Sequence, residues 1–201
     1  MGLNKVAILI DGGFFIQRFR KLNAVHPTKK DVEELIAKIM DLISRKNPCA
    51  TLHPDVLMRT FYYDCEPFGK ELKHPNGSKI DFSKSETFIK QTAFLKSLET
   101  VEQFALRLGD LSFSGWKIHA DNKKAKPFPD FRQKGVDMKI GLDIAGMAGK
   151  KTVDKIVLVT GDSDFISPMK LARREGIQIH LYPMENYLKH ELISHADFII
   201  R

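Results

Sequence analysis

The sequence predicts an α/β protein, a Rossmann-like three-layer α/β/α sandwich around a central, mainly parallel sheet. Two observations lead to this fold class. Segments with the periodicity of strands and of helices alternate along most of the 201 residues, as they do in repeated strand–helix–strand units. The predicted strands are also near-continuous apolar runs, which is typical of strands that helices cover on both faces.

The first third of the chain alternates between strands and helices. Apolar residues at helical spacing follow Thr28, and Pro48 ends that pattern because proline cannot continue a helix. The predicted elements are a strand at 5–10, a helix at 14–22, a helix between Thr28 and Pro48, and a strand at 57–63.

The middle of the chain changes composition. Residues 64–84 are rich in Pro, Gly, Lys, Asn and Ser, which predicts a surface insertion in an otherwise single domain over residues 1–201. Ser83 and Glu86 have the spacing of a capping box for a helix that ends near Leu98. A predicted hairpin follows, with a strand at 101–108, a turn at Gly109-Asp110 and a second strand ending near His119.

The last part of the chain returns to the alternating pattern. Residues 121–132 are predicted to form a loop, because they combine two prolines with several lysines. The later predicted elements are a helix at 135–147, a strand at 156–160, a helix at 165–174, a strand at 177–182, a short helix, and an apolar segment at 198–200.

The composition limits the classes of function. The formal net charge of +7 favours a polyanionic partner. Two cysteines are too few for a disulfide framework or a four-thiolate zinc site. The apolar runs are far too short to span a bilayer, and no signal peptide is recognisable. We therefore expect a cytoplasmic protein without a membrane partner.

Three separated segments each bring aspartate to what should be one edge of the sheet. Asp11 ends the first strand, Asp162 and Asp164 follow the strand at 156–160, and Asp137 begins a helix. In an open α/β sheet, ligands bind at the carboxyl ends of the strands. The sequence therefore predicts a shared acidic site there.

Such a site needs a counter-charge. Two like charges ~4 Å apart repel by ~4 kcal/mol at an effective dielectric constant of 20. Ligand sets made only of oxygen suit Mg²⁺ or Mn²⁺, and such ions activate water and stabilise charge on a phosphoryl group. With the positive net charge, this indicates metal-dependent hydrolysis of phosphodiester bonds. A second interpretation stays open for each aspartate, namely that it only caps a helix or forms a turn.

Asp143 is a weaker candidate for the same site. It lies six residues after Asp137, so the two side chains point about 120° apart on an ideal helix. We predict an auxiliary role for Asp143. An ion pair with Lys139, four residues earlier, is an equally good prediction.

Basic residues flank the aspartates in the sequence and predict a track for a phosphate backbone. A merely solvated face is the alternative. Phe128 and Phe131 lie among them and are expected to anchor the loop, with base stacking as the second interpretation. The candidate nucleic-acid-binding residues are Arg132, Lys134, Lys170, Arg173 and Arg174.

Three motifs stand in an order that resembles a known family. They are Lys5-Val6-Ala7-Ile8-Leu9-Ile10-Asp11-Gly12, Lys134-Gly135-Val136-Asp137, and Val157-Leu158-Val159-Thr160-Gly161-Asp162-Ser163-Asp164-Phe165. Together they resemble the NYN domain, a family with the PIN-like nuclease fold. The similarity covers most of the chain, through Ala196-Asp197-Phe198.

The resemblance implies a PIN-like sandwich and a ribonuclease that depends on Mg²⁺ or Mn²⁺. It also implies that Asp11, Asp137 and Asp162 are metal ligands and that Asp164 completes the acidic pocket. Thr160 and Ser163 would be nearby hydroxyl donors. Relatives often have an asparagine a few positions after the first aspartate, where this chain has Phe14.

The sequence thus predicts a metal-dependent ribonuclease acting on single-stranded or structured RNA. The alternative is a regulatory RNA-binding module of the same fold with little or no turnover. A phosphatase of the haloacid-dehalogenase type is disfavoured, because Gly13 stands where that chemistry needs a second aspartate. The sequence is compatible with a homo-oligomer but does not determine the oligomeric state.

Overall fold

The computed structural model describes residues 2–118 and 126–201. In these ranges the strands are β1 Asn4–Asp11, β2 Asp55–Cys65, β3 Glu71–Lys73, β4 Lys79–Asp81, β5 Phe104–Lys117, β6 Phe128–Lys134, β7 Lys155–Val159, β8 Gln178–Leu181 and β9 Phe198–Ile199. The α-helices are α1 Gly12–Asn23, α2 Lys29–Lys46, α3 Glu86–Leu98, α4 Val136–Lys150, α5 Ile166–Arg174 and α6 His190–Ile193.

Seven of the strands form one sheet in the order β6-β5-β2-β1-β7-β8-β9. All neighbours in it are parallel except β5 and β6. The chain leaves β1 toward β2 and β5 on one side, then returns to β7 and continues outward on the other. The direction of winding therefore changes between β1 and β7, where ligands bind in sheets of this kind.

Helices cover both faces of the sheet. One apolar core joins α1, α2 and α3 to residues such as Ile8, Tyr62 and Val157, and the other joins α4 and α5 to Leu9, Tyr63 and Leu158. Successive residues of a strand point to opposite faces, so the continuous apolar runs supply both cores. The predicted three-layer α/β/α sandwich is confirmed.

The predicted hairpin at 101–119 is wrong. Residues Phe104–Lys117 form one uninterrupted strand, whose second half pairs with antiparallel β6. Gly109 makes no turn. A Cβ atom at Gly109 would lie 2.5 Å from the carbonyl oxygen of Lys134, so the glycine is needed because β6 approaches closely.

Two further local predictions are corrected. The segment predicted as a loop at 121–132 contains the first part of β6, while residues 121–125 lie outside the described residues. Helix α3 is capped by Ser85, whose Oγ accepts a hydrogen bond from the backbone N–H of Phe88 at 3.2 Å. Ser83 belongs instead to a preceding 3₁₀ turn, so it forms no capping box with Glu86.

Candidate active site

Asp11 and Asp162 lie on neighbouring strand ends. Strands β1 and β7 are parallel, with Ile10 opposite Val159. Asp11 is the last residue of β1, and Asp162 follows β7 after Thr160 and Gly161. The fold therefore places these two carboxylates at the point where the winding of the sheet changes direction.

The carboxylate of Asp11 has a dual role. Its Oδ1 accepts a hydrogen bond from the backbone N–H of Phe14 at 3.1 Å and caps α1. The hydroxyl of Thr160 donates to Oδ2 at 3.4 Å. Burial raises the pKa of Asp11, and the negative charges of Asp137 and Asp162 raise it further. The predicted capping role is thus present, but it does not neutralise the charge.

Asp162 and Asp164 lie at the start of the next helical segment. Asp162 Oδ1 accepts a hydrogen bond from the backbone N–H of Asp164 at 2.9 Å, and the backbone N–H of Asp162 donates to Thr160 Oγ1 at 3.2 Å. Thr160 therefore links the ends of β1 and β7. Asp162 and Asp164 are exposed, and Ser163 between them is partly exposed.

Asp137 reaches the same edge from α4. Gly135 precedes this helix with a φ of 81°, a left-handed conformation that glycine adopts without strain. Burial raises the pKa of Asp137, and so do the negative charges of Asp162 and Asp164. We call Asp11, Asp137, Asp162 and Asp164 the acidic rim. In the described ranges no lysine, arginine or histidine forms an ion pair with any of them.

Asp64 is an acidic residue near the rim that our sequence analysis missed. It lies in β2, directly after Tyr63, which is opposite Asp11 in the sheet. Its Oδ2 accepts a hydrogen bond from Gln91 Nε2 at 2.8 Å. Burial raises the pKa of Asp64 to about 6, and the charge of Asp11 also raises it. The signal was available, because Asp64 follows an apolar strand just as Asp11 does.

The ligand atoms that the rim offers are of the type that binds a hard divalent cation. They are carboxylate oxygens, with the hydroxyls of Thr160 and Ser163 nearby, and Mg²⁺ and Mn²⁺ prefer oxygen ligands. The pKa values of Asp11 and Asp137 are raised by burial and, in addition, by neighbouring negative charge. No group of three acidic, histidine or cysteine side chains among residues 2–118 and 126–201 is arranged to hold an ion. Because Mg²⁺ keeps several waters and uses one or two carboxylates, the rim fits an ion that is only partly ligated by protein.

Phe14 and Asn186 occupy the space beside Gly161. A Cβ atom at Gly161 would lie 2.9 Å from Phe14 Cε2 and 2.9 Å from Asn186 Nδ2. The ring thus stands against the turn that carries Asp162. An amide group is present there after all, but it comes from the segment after β8.

The structure does not bring Asp143 to the acidic rim as a free carboxylate. Its Oδ2 accepts hydrogen bonds from the Tyr63 hydroxyl at 2.8 Å and from Arg107 Nε at 3.1 Å. The predicted partner Lys139 instead donates to the carbonyl oxygen of Leu108 at 2.6 Å. The charge of Asp143 is therefore balanced by Arg107, which lies on a strand remote in sequence.

The five predicted nucleic-acid-binding residues separate into two groups. Arg132 and Lys134 lie on β6, just before Asp137, and both are exposed. Lys170, Arg173 and Arg174 lie on α5.

Helix α5 leads its basic residues away from the rim. Arg173 is seven residues beyond the start of α5 at Ile166, which is about 10 Å along a helix axis. Arg173 is also paired with Asp197 at 2.9 Å. Of the predicted track, the part on β6 adjoins the acidic rim, and the end of α5 does not.

Comparison with known proteins gives one clear relationship. Residues 5–201 match the family model of the NYN domain. No curated protein sequence matches the chain. None of the described helices combines the length and apolar character needed to cross a membrane. With a family match over nearly its whole length and a PIN-like α/β/α sandwich, the chain belongs to the NYN domain family of PIN-like nucleases.

Proposed function

We propose that the protein is a metal-dependent ribonuclease that hydrolyses phosphodiester bonds of RNA. The observation that carries this proposal is the acidic rim, in which three separated segments place four carboxylates at one edge of the sheet, with no ion-pair partner among the described residues. Nuclease chemistry also agrees with the family to which the chain belongs.

The residues of the rim would have distinct tasks. Carboxylates among Asp11, Asp137, Asp162 and Asp164 would hold Mg²⁺ or Mn²⁺ together with bound waters, and such an ion supplies an activated water and stabilises charge on the phosphoryl group. Thr160 fixes the positions of Asp11 and Asp162 through its two hydrogen bonds.

Positioning of the RNA would come from the neighbouring side chains. The hydroxyl of Ser163 lies between two rim carboxylates in the sequence and is available to a phosphate oxygen. Arg132 and Lys134 would orient the RNA backbone next to Asp137. The family to which the chain belongs suggests hydrolysis with a 5′-phosphate product.

The test is cleavage of labelled single-stranded RNA with Mn²⁺, with and without EDTA. We expect Asp162→Asn to lower the rate by more than about a hundredfold, because residues that only support a metal ligand are already worth roughly 10–100-fold. Asp41→Asn is the matched control, since Asp41 is an exposed carboxylate on α2 paired with Arg45. Equal rates for the wild type and Asp162→Asn would exclude this mechanism.

A second candidate function is an RNA-binding module with negligible turnover. The spacing of the carboxylates favours it, because no three such groups in the described residues are arranged around one ion. The same proteins distinguish the two functions. RNA retention that weakens with salt, without cleavage under any divalent ion, would support the binding module.

Three further expectations belong with this proposal. We propose that residues 1–201 act as one domain, in which the insertion predicted at 64–84 begins only after β2 ends at Cys65, and that the protein works in the cytoplasm. RNA is the proposed partner. Within the part of the chain that the structure describes, no observation supports a homo-oligomer.

A further inference from the structure

A cavity of about 730 Å³ lies beside the acidic rim, and the proposed hydrolysis does not use it. Its volume is in the usual range for small-molecule sites, about 300–1,000 Å³. Its walls come from α1, the segment after β2, the start of α3, and strands β5 and β6. The segment predicted to be an insertion therefore forms one side of a pocket.

Three phenylalanine rings form an aromatic wall of this cavity. The Phe68 ring lies 4.9 Å from that of Phe131 and 5.8 Å from that of Phe82, measured between centroids. The Phe82 and Phe131 rings are perpendicular, with centroids 5.4 Å apart. All three residues are only partly buried, so ring surface is available to the cavity. Flat aromatic surfaces of this kind stack with nucleobases irrespective of base identity.

Amide side chains supply hydrogen-bonding groups in the same cavity. Gln17, Gln91 and Gln133 all line it. Gln91 uses its NH₂ group toward Asp64 at 2.8 Å, which leaves its carbonyl oxygen as an acceptor. An amide carries both donors and acceptors, as does the edge of a nucleobase that has left its stack.

Gly13 connects the cavity to the acidic rim. It lines the cavity, and a Cβ atom at this position would lie 3.5 Å from Asp11 Oδ1 and 3.6 Å from the amide group of Gln133. Only one ribose separates a nucleobase from its phosphate. A base held against the aromatic wall would therefore place the adjoining phosphate toward Asp11.

A cation also lies on the wall of the cavity. Arg20 on α1 lines it and is exposed, and within the described residues its guanidinium group forms no ion pair. A guanidinium group is well suited to a phosphate. The cavity thus combines stacking surface, amide groups and a counter-charge for the RNA backbone.

From these contacts we propose that the cavity receives one unstacked nucleobase of a single-stranded RNA whose phosphate lies at the acidic rim. The inference rests on the proposed function and adds a subsite to it. It makes single-stranded RNA, rather than a paired stem, the substrate class. The position of the cavity next to Asp11, across Gly13, favours a ligand that also has a phosphate, and neither a small apolar molecule nor a protein segment has one.

The experiment measures binding in EDTA, so that cleavage does not enter. The probes are a short labelled single-stranded RNA and a strand of equal length built from stable abasic ribose units. Using a fully abasic strand prevents the protein from shifting to a neighbouring base. We expect the abasic strand to bind the wild type about tenfold more weakly, which is within the range for stacking of one base.

Two phenylalanines of the same strand give a matched pair of variants. Phe131→Leu removes a ring of the cavity, and Phe128→Leu changes a residue of β6 that is 37% exposed and does not line it. We expect Phe131→Leu to bring the affinity for normal RNA down to that for the abasic strand. Phe128→Leu should bind both strands as the wild type does.

A third variant covers the case in which Phe131→Leu does not fold. Phe68→Leu lies in the segment after β2, outside both cores, and should give the same loss of base dependence. Equal affinity of the wild type for the two strands would overturn the inference. So would an unchanged preference for normal RNA in both cavity variants, because the base would then be bound at a surface outside the cavity.

The outcomes also separate this inference from the proposed function. Base-dependent binding in EDTA without cleavage in Mn²⁺ would contradict the ribonuclease and support the base subsite. Cleavage in Mn²⁺ together with equal binding of normal and abasic strands would do the opposite.

Discussion

The two ends of the central sheet differ in whether the negative charges of their aspartates are balanced by a cation. At the carboxyl end, the acidic rim brings carboxylates together without a cationic partner among the described residues. At the amino end, the side chain of Asp55 is buried and forms an ion pair with Lys155 at 2.6 Å. Nearby, Asp154 accepts a hydrogen bond from the backbone N–H of Lys5 at 2.7 Å.

This difference separates acids whose charge is balanced by a cation of the fold from acids whose charge is not, and the latter are the ones that we propose bind a ligand. A paired and hydrogen-bonded carboxylate cannot be lost without leaving a buried partner behind. An unpaired cluster opposes folding and persists because the surrounding sheet and helices determine it, as is common at functional sites. The same residue type thus has different roles at the two ends of the same strands.

The largest expected effect comes from breaking the buried ion pair at the amino end. Lys155→Met leaves the Asp55 carboxylate buried without its cation, so we expect the free energy of unfolding to fall by about 3–5 kcal/mol. Urea denaturation followed by circular dichroism measures it. Asp162→Asn at the carboxyl end should change the same quantity by less than about 0.5 kcal/mol.

Two controls accompany this measurement. Lys150→Met changes an exposed lysine and should leave stability almost unaltered. The double variant Lys155→Met/Asp55→Leu removes both charges and should recover most of the loss. Similar losses for Lys155→Met and Asp162→Asn would contradict the contrast between the two ends.

The next effect is a pH dependence of opposite sign at the two ends. Burial raises the pKa of Asp64 to about 6, above its ordinary value of 3.8. Between about pH 4 and 6 the folded state keeps a proton that the unfolded state has released, so stability falls as the pH rises. Burial lowers the pKa of His180 to about 4, and the charge of Lys155 lowers it further. The contribution of His180 to stability is lost as the pH falls from about 6.5 to 4, because the unfolded state then binds a proton that the folded state does not.

Across this pH range, the altered pKa of each group changes the free energy of unfolding by about 3 kcal/mol. The two slopes should largely cancel in the wild type. In EDTA, Asp64→Asn should retain only the effect of His180, so that variant is expected to lose stability as the pH falls. His180→Phe should retain only the effect of Asp64, so that variant is expected to lose stability as the pH rises. Urea midpoints across pH 4–6.5 test this, and parallel profiles for both variants would disprove it.

A smaller effect should come from divalent ions. If the acidic rim binds Mn²⁺, a free concentration ten times the Kd stabilises the fold by about 1.4 kcal/mol. Thermal melting with Mn²⁺ and with EDTA should show this shift for the wild type and for Asp41→Asn, and should not show it for Asp137→Asn. An equal shift in all three proteins would mean that Mn²⁺ binds elsewhere.

The smallest effect is the relief of repulsion within the rim. In EDTA, Asp137→Asn removes a negative charge near Asp162 and Asp164, so stability should rise. Because the Asp137 side chain is exposed and screened by solvent, we expect only a few tenths of a kcal/mol. Urea denaturation at low salt is the measurement, and a loss above about 1 kcal/mol would show a structural role for Asp137.

Much of the fold was predictable because it is encoded locally. Strands β1 and β7 are continuous apolar runs, and α2 has its apolar residues at helical spacing after a Thr28 cap. The order of such elements is enough to place Asp11 and Asp162 at one edge.

The errors occur where the role of a residue is determined by contacts with a distant part of the chain. Glycine is a residue type typical of turns, yet Gly109 lies within a strand. Glycine is needed there because the carbonyl oxygen of Lys134 approaches closely. Asp143 was judged against its own helix, but its partners Tyr63 and Arg107 come from β2 and β5. Asp64 was assigned to an insertion by composition, although its position after a strand was the better guide.

Strand β5 has a consequence for how such a protein can diversify. Its first half pairs with β2 in the centre of the sheet, while its second half pairs with β6, whose residues Phe131 and Gln133 line the cavity. Under the proposed function, we expect substitutions in β6 to change which RNA is bound without altering the strands that align Asp11 with Asp162. Substrate preference could then vary independently of the residues proposed for hydrolysis.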